Sequence, residues 1–364
     1  MGKNVVICCD GTANQFTKDN TNVIKLYSAL IDDPGRQTIF YHPGVGTREA
    51  PGALTTWGRK ATIVLGKAFG YGLESDIAAV YAFVMNNYHA ADNDRLFFFG
   101  FSRGAYTVRA VASLLRAFGV LRAGHETSIP YAIRLMNSIG QEAAGSLEAF
   151  RVVDRFRATF SVGDAKPYFI GAWDTVSSVG WISNPLHIPY SANNPDIAIG
   201  RHAVSIDERR SFFRQNLWWP SGGLGKAGPK DLKQVWFAGG HCDVGGGYPE
   251  EESGLSKIAL RWMFKEAEAK GLLVDGARRE AVMAAGQGPD ANGPMHDELT
   301  GQLGWHLVEY VPKRHYDRET GKTEFRANYG RPRHLPRGAL IHESAFQRDN
   351  YTVPKLEDYK VETD

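Results

Sequence analysis

The sequence lacks the features that mark membrane-spanning, exported and nucleic-acid-binding chains. It has no run of about 18 apolar residues, so no transmembrane helix is expected. Its first residues, M-G-K-N-V-V-I, do not have the layout of a secretory signal peptide, and their short apolar run is typical of a strand. The formal net charge of +2 gives no general attraction to nucleic acid. We therefore expect a cytosolic protein without a nucleic-acid partner, and we leave open export by a route that cleaves no signal.

Cysteine is also scarce, since the 364 residues include only Cys8, Cys9 and Cys242. An odd number with two adjacent members does not suit a disulfide framework, so we expect buried, reduced thiols. There is no internal repeat and no low-complexity tract. The hydrophobic share of 43% and the charged share of 23% are those of an ordinary globular protein.

The spacings of common metal sites are absent, because the sequence contains no C-x-x-C and no H-x-x-x-H. The side chains of Asp10, His42, His241 and Asp243 offer mixed nitrogen and oxygen ligands, which several divalent ions accept. A metal-assisted hydrolase that uses them is a weak alternative. We expect neither a catalytic metal nor a cofactor.

The most informative segment is L-F-F-F-G-F-S-R-G-A-Y over residues 96–106. An apolar strand pattern ends in G-x-S-x-G, and an apolar helical pattern follows at once, which is the context of a nucleophile elbow. The turn strains the backbone at Ser102, and side chains at Gly100 and Gly104 would collide with it. The hydroxyl of Ser102 is then held above the edge of the sheet. The amide of Arg103 can face a developing oxyanion.

Short β-rich runs alternate with helical patterns, which predicts a mainly parallel sheet flanked by helices, the α/β class with an α/β-hydrolase-like arrangement. The last clear core strand is expected at 235–239, and a helix is expected to begin at 205 with acidic residues in its first turn. We expect one catalytic domain over 1–275 and a loop-rich C-terminal decoration over 276–364. Within the domain, 121–160 and 181–230 are candidate cap or flap insertions.

A serine needs a positioned base that a carboxylate orients, and in α/β-hydrolases the chain order is serine, acid, histidine. Asp174 follows the predicted strand at 169–173 and is our candidate acid, with capping of a helix or a turn as the alternative role. His241 follows the strand at 235–239 and is our candidate base. Asp243 is a rival acid that better suits a turn, and His342 is the alternative base.

The loop after the first strand is expected to complete the oxyanion hole. It leaves the same edge of the sheet as the elbow, so the amide of Gly11 or Thr12 is our candidate for the second donor. Asp10 is expected either to hold this loop through backbone N–H groups or to bind a cation. His42, after the second strand, is expected to line the pocket, so Asp10 and His42 are candidate substrate-binding residues.

Two aromatic residues and a basic tail give hints about the substrate. Trp218 and Trp219 precede a glycine-rich stretch and are candidates for an apolar flap that binds acyl chains, although packing against the sheet explains them as well. The tail around Arg331, Arg333 and Arg337 either meets an anionic surface or carries solvated charge. These hints leave peripheral membrane contact open.

With these residues in view, the chain resembles the DUF2235 family, which includes the catalytic domains of type VI secretion lipase effectors of the Tle1 class. The resemblance rests on blocks in one order: C-D-G-T-A-N (9–14), G-F-S-R-G-A (100–105), G-A-W-D-T-V (171–176), D-E-R-R (207–210) and V-W-F through D-V-G-G-G-Y (235–248). It implies an α/β-hydrolase-like fold, an ester or lipid substrate, and the triad Ser102, Asp174 and His241. One departure is Ala13, where the family often has tryptophan.

The sequence thus predicts a serine ester hydrolase that resembles lipases and phospholipases. Its reaction would pass through an acyl-enzyme on Ser102. The alternative is a non-catalytic module on the same fold that binds a ligand or a protein partner.

Overall fold

The structure is a computed structural model that describes residues 2–11, 19–44, 67–141, 147–176, 180–181, 184–185, 188–211, 213–218, 227–301, 309–316, 323–354 and 358–364. Its strands are β1 Asn4–Cys9, β2 Gln37–His42, β3 Arg95–Phe101, β4 Val120–Leu121, β5 Ser161–Gly163, β6 Pro167–Trp173, β7 Gly180–Trp181, β8 Asn184–Pro185, β9 Ile199–Ser205, β10 Asp231–Phe237, β11 Lys313–Tyr316, β12 Thr323–Arg326, β13 Ala339–His342 and β14 Tyr359–Glu362.

Helices connect most of these strands. Their bounds are α1 Asn22–Ala29, α2 Lys67–Asn87, α3 Arg103–Phe118, α4 Ile129–Gln141, α5 Leu147–Phe160, α6 His241–Gly245, α7 Gly254–Glu268, α8 Gly276–Ala284, α9 Glu298–Gly301 and α10 Ser344–Gln347. Short 3-10 turns lie at Ala90–Asp92, Glu126–Ser128 and Glu250–Glu252.

Eight strands form one sheet in the order β14-β13-β10-β9-β6-β3-β1-β2. Every neighbouring pair in this sheet is parallel. The carboxyl ends of all eight strands therefore meet at one edge, where loops place functional groups in open α/β sheets. This confirms the predicted α/β class.

Alternating side chains of the strands supply two apolar layers, as expected for strands buried on both faces. In β1, Val5 and Ile7 pack with α2, α3, α4 and α5 on one face. Val6 and Cys8 pack with α1 and α7 on the other face. The helices predicted around 121–160 are thus part of the layer that covers one face of the sheet.

Three predictions about the sheet were wrong. Of residues 205–211 and 213–215, which the structure describes, none is helical, since β9 ends at Ser205 and non-helical backbone follows. The range 181–230 includes β9, which lies between β6 and β10 in the sheet, so this range is more than a flap insertion. The strand at 235–239 is not the last one, since β13 and β14 extend the sheet from the C-terminal segment. The domain boundary near 275 stays a prediction.

Within the described ranges, no helix is long and apolar enough to cross a bilayer.

Candidate active site

Ser102 occupies the sharp turn between β3 and α3. Its φ of +57° is a left-handed value that a residue with a side chain adopts only under strain. The flanking glycines are required by contact: a Cβ on Gly100 would lie 2.6 Å from the amide nitrogen of Ala105, and one on Gly104 would lie 2.1 Å from the carbonyl oxygen of Cys9. The structure therefore has the close approach that the G-x-S-x-G pattern predicts.

Asp174 lies beside the elbow, at the end of the neighbouring strand. Phe101 is in register with Trp173, and the amide of Ser102 donates a 3.0 Å hydrogen bond to the carbonyl of Trp173. Asp174 is fully buried, and its Oδ1 accepts a 3.0 Å hydrogen bond from the amide of Ser205. Its φ of +37° is also strained, so this turn, like the elbow, holds its side chain at a fixed angle.

His241 begins the short helix α6 after β10. Its Nδ1 lies 2.5 Å from Oδ2 of Asp174, which is the hydrogen bond that joins an acid to a base in a serine hydrolase. The imidazole packs between the rings of Phe101 and Phe213, at centroid distances of 4.6 and 4.7 Å. Because Nδ1 faces the carboxylate, Nε2 is the nitrogen left to exchange a proton with a serine.

The structure thus brings Asp174 and His241 into direct contact, with Ser102 on the adjacent strand end. Among the described contacts, no hydrogen bond joins the hydroxyl of Ser102 to His241. Such bonds are often long without substrate and tighten in the reacting complex.

Arg333 is the main residue of this site that the sequence reasoning missed. Its Nη1 lies 2.5 Å from Oδ1 of Asp174, and its Nη2 lies 3.0 Å from Oδ2. Nη1 also donates to the carbonyl and the hydroxyl of Ser205, and Nη2 to the carbonyl of Phe213. The side chain is buried, so the prediction of a solvated or surface-facing basic tail is wrong for this residue.

The electrostatics of Asp174 follow from these contacts. Burial alone would raise the pKa of its carboxyl, but the charge of Arg333 and the hydrogen bond from His241 hold that pKa well below its ordinary value. The carboxylate is therefore ionised wherever His241 can act as a base.

The D-E-R-R block supports the turn that carries His241. Oε2 of Glu208 accepts a hydrogen bond of 3.3 Å from the amide of His241, and its carboxylate forms a two-point ion pair with Arg210. Oδ2 of Asp207 accepts a 2.7 Å hydrogen bond from the amide of Gly239. The acidic residues that suggested a helix cap thus bind the neighbouring turn instead.

Of the amides predicted for the oxyanion hole, that of Arg103 lies at the first residue of α3, where an N–H has no acceptor within the helix. Burial lowers the pKa of the Arg103 guanidinium to about 9, although the negative charge of Asp76 acts to raise it. The amide of Gly11 donates a 2.7 Å hydrogen bond to Oδ1 of Asp10, which does not fit a free oxyanion donor. Thr12 lies outside the described residues, so its role stays a prediction.

Asp10 accepts hydrogen bonds from groups around the end of β1, and its two expected roles, holding the loop and binding a cation, stay predictions. Besides the bond from Gly11, its Oδ2 accepts hydrogen bonds from the hydroxyls of Thr21, at 2.7 Å, and of Tyr41, at 3.1 Å. His42 is the last residue of β2, and its Nε2 lies 3.8 Å from Oδ1 of Asp76. No group of three His, Cys, Asp or Glu side chains able to hold a metal occurs in the part of the chain that the structure describes.

The rivals for the acid and the base have other partners. Asp243 accepts a 2.9 Å bond from the amide of Gly240 and a 2.7 Å bond from Nδ1 of His296, as a turn residue would. His342 is buried at the end of β13, where Nδ1 contacts the hydroxyl of Ser344 and Nε2 contacts Asp364. Among the described hydrogen bonds, none joins either side chain to the side chain of Asp174 or of His241.

The expected aromatic flap is not formed by Trp218, which is fully buried. The guanidinium of Arg109 lies 4.6 Å from its ring centroid, and the ring of His202 meets its edge. Packing against the sheet, the alternative explanation, therefore describes this residue. Trp219 lies outside the described residues.

Comparison with known families gives one match over most of the chain. A family model described as "T6SS, Phospholipase effector Tle1-like, catalytic domain" matches residues 3–266. All five blocks quoted from the sequence fall within that range, as do Ser102, Asp174 and His241. Arg333 lies beyond it.

A curated relative and two solved structures are also similar. The uncharacterized protein YEL023C of Saccharomyces cerevisiae is 31% identical over 229 residues, which are 60% of this chain and 33% of that protein, so the chain spans about a third of that relative's length. A crystal structure of an uncharacterized protein from Pseudomonas aeruginosa has 19% identity and a TM-score of 0.45, and covers 79% of this chain and 49% of its own. The Tle1 effector bound to the VgrG spike of the Type 6 secretion system has 13% identity and a TM-score of 0.47, and covers 100% and 94%.

Proposed function

Because this chain belongs to the family of Tle1-like phospholipase effector catalytic domains, we propose that it is a serine hydrolase that cleaves the carboxylic esters of phospholipids or related lipids. Ser102 is the nucleophile, His241 the general base and Asp174 the acid that orients the base. Family membership agrees with the resemblance found in the sequence. The assignment of the three roles rests on the site itself.

In this proposal the hydroxyl of Ser102 attacks the acyl carbonyl and passes its proton to Nε2 of His241. The amide of Arg103 donates to the oxyanion of the tetrahedral intermediate. His241 then protonates the alcohol that leaves, and an acyl-serine remains. Water, deprotonated by the same imidazole, releases the fatty acid and restores Ser102.

The observation that carries the proposal is the 2.5 Å contact between Asp174 and His241 beside the strained serine turn. Burial of the pair strengthens the hydrogen bond, because little water competes for it. Ser102 lies one position beyond Phe101, whose ring contacts the same imidazole. The serine turn and the proposed base therefore share Phe101 as a neighbour.

A lipid substrate is supported by an exposed aromatic surface near this site. Tyr310, Val311, Phe325 and Tyr329, here called the aromatic patch, are exposed, and the rings of Tyr310 and Tyr329 meet edge to face at 5.4 Å. Exposed apolar groups beside a catalytic site suit contact with a lipid surface.

The aromatic patch is tied to the loop that covers the base. Next to the patch, Oε1 of Glu309 accepts a 2.5 Å hydrogen bond from the amide of Ser211, two residues before Phe213. Oε2 of Glu309 accepts a 3.0 Å bond from the amide of Gly330. Lipid contact at the patch would therefore place the bilayer at the rim of the site.

The decisive experiment is labelling with a fluorophosphonate probe, followed by turnover of short p-nitrophenyl esters. The wild-type protein is expected to label at one serine and to hydrolyse the ester. Ser102→Ala is expected to lose labelling and to lose turnover by at least about a thousandfold, as when a nucleophile is removed from a triad. Ser113→Ala is the matched control, because Ser113 is buried on α3, the helix that follows Ser102, and its hydroxyl donates to the carbonyl of Arg109.

Undiminished turnover by Ser102→Ala would exclude this mechanism. Folded wild-type protein that neither labels nor hydrolyses esters would instead favour the ligand-binding or partner-binding module.

The lipid preference has its own test. Phe325→Ser is expected to lower hydrolysis of phosphatidylcholine vesicles by about tenfold, since one buried aromatic side chain contributes on the order of 1–3 kcal/mol at an interface. Phe346→Ser, which changes an exposed phenylalanine on α10, is the control. Equal effects of both variants on vesicle hydrolysis would show that the aromatic patch does not bind lipid. The proposed function would then be hydrolysis of small esters.

A further inference from the structure

Arg333 contacts Asp174, the proposed acid, although Arg333 lies beyond residues 3–266, which the family model matches. Its guanidinium makes a two-point ion pair with Asp174 and three further hydrogen bonds to Ser205 and Phe213. Planar, two-point pairing of this kind fixes the orientation of the carboxylate in addition to neutralising its charge, and a lysine cannot form it. The pair is wholly buried, with 4% of the arginine side chain and none of the aspartate exposed.

The contacts leave the carboxylate of Asp174 no freedom to turn. Oδ1 accepts from the amide of Ser205 and from Arg333, and Oδ2 accepts from His241 and from Arg333. Because His241 and Arg333 meet the same oxygen at 2.5 and 3.0 Å, their nitrogens are separated by no more than those two distances together. Both donors therefore hold Oδ2 in one place.

We propose that Arg333 is a positioning residue that fixes the Asp174 carboxylate toward His241. This inference rests on the proposed function. Without Arg333, the carboxylate would keep its hydrogen bonds to the Ser205 amide and to His241, but it would lose the two-point pair that fixes both of its oxygens. Its orientation toward the imidazole would then be less well defined, and proton transfer through His241 would be slower.

The other charged groups near His241 have different hydrogen-bond partners. Glu208 accepts from the backbone amide of His241 and pairs with Arg210. Asp243, two residues on, accepts from His296. Among the described hydrogen bonds, those of Asp174 and Arg333 are therefore the ones that join a charged side chain to the imidazole or to its acceptor.

The C-terminal segment is attached so that Arg333 reaches the site. The carbonyl of Gly330 accepts a 2.9 Å hydrogen bond from Nε of Arg209, next to the residue that bonds the His241 amide. Leu335 is buried two residues after Arg333. β13 then joins the sheet beside β10, the strand that leads to His241. The segment predicted as a decoration therefore contributes to the active site.

The test compares Arg333→Gln and Arg333→Lys in the full chain, with kcat and KM measured on a short soluble ester. Arg333→Gln is expected to lower kcat by roughly tenfold or more with little change in KM, because the base is less well oriented while the contacts to substrate stay. Arg333→Lys keeps the charge but loses the two-point geometry, so it is expected to lower kcat as well.

The matched control is Arg201→Gln. Arg201 is buried like Arg333 and pairs with Asp231 and Glu266, remote from the site, at the amino-terminal end of its strand pair. It should lose stability comparably and leave kcat unchanged. An unchanged kcat in a folded Arg333→Gln would overturn the proposal, as would an equal fall of kcat in Arg201→Gln. If Arg333→Gln does not fold, an unchanged kcat in folded Arg333→Lys overturns it.

A second readout needs no ester turnover. The proton between Asp174 and His241 is expected to give a far-downfield proton NMR signal that reports their hydrogen bond. Arg333→Gln should move that signal upfield or broaden it, in the wild-type background and in Ser102→Ala alike. Lack of ester hydrolysis with an altered signal would reject the proposed function alone, whereas an unaltered signal would reject the role of Arg333.

Discussion

The ring of Phe213 covers one face of the His241 imidazole, with centroids 4.7 Å apart and planes inclined at 59°. The carbonyl of the same residue accepts a hydrogen bond from Arg333. Phe213 thus separates the Asp174–His241 pair from solvent and also helps to hold the arginine that contacts it. This loop position links the base, the acid and the C-terminal segment.

Phe213→Ala is therefore expected to lower kcat by about tenfold, because water would reach the pair and weaken its hydrogen bond. Steady-state kinetics on a short soluble ester measure this loss. Phe346→Ala removes an exposed ring elsewhere and should leave kcat unchanged. An unchanged kcat in Phe213→Ala would show that shielding the imidazole from water does not contribute to the rate.

The elbow is expected to tolerate no side chain at Gly104. A Cβ there would meet the carbonyl oxygens of Cys9 and Asp10 at 2.1 and 2.5 Å, and backbone atoms cannot rotate away. Gly104→Ala should lower the free energy of unfolding by about 2–4 kcal/mol, in the range of overpacked sites. Denaturant titration measures this, with Gly276→Ala as the control because nothing lies within 4 Å of a Cβ added there. Equal stability of the two variants would contradict the close approach.

Much of the site is predictable from the sequence because its signals are local. Ser102 is marked by five consecutive residues, and Asp174 and His241 each follow an apolar run that becomes a strand. In a parallel sheet all such ends meet at one edge, so the three positions converge without further information.

Arg333 could not be found this way, since its partner Asp174 lies 159 residues away and its neighbours are polar and proline-rich. β9 was missed for a related reason. Its sequence, I-G-R-H-A-V-S, holds an arginine and a histidine that read as exposed. Both are buried because Arg201 pairs with Asp231 and Glu266, and His202 accepts a hydrogen bond from the amide of Thr175. Tertiary partners, which no local pattern encodes, decide these cases.

The thiols are expected to be unreactive in the folded protein. Burial raises the pKa of Cys8 and Cys9 well above the ordinary value and raises that of Cys242 to about 12. Since the thiolate is the reactive form, native protein at about pH 8 should react with a disulfide reagent on the order of a hundredfold more slowly than protein in denaturant does. Rapid release of one equivalent of chromophore from native protein would contradict this, and a Cys242→Ser variant would identify the thiol responsible.

His296 is expected to make stability depend on pH near neutrality. A hydrogen bond to Asp243 is the main cause that raises the pKa of His296, and a further bond to Glu252 adds to it. A pKa that is higher in the folded than in the unfolded state means that the contribution is complete below about 6.5 and is lost as pH rises through the folded value. The melting temperature of the wild type should therefore exceed that of His296→Gln most at acidic pH, and the difference should shrink above neutrality. His89→Gln, on a mostly exposed side chain, is the control and should follow the wild type. The ring of His296 also stacks on that of Tyr248, with centroids 3.7 Å apart. A difference in melting temperature between wild type and His296→Gln that stays constant with pH would mean that this packing, and not the charge of the imidazolium, stabilises the fold.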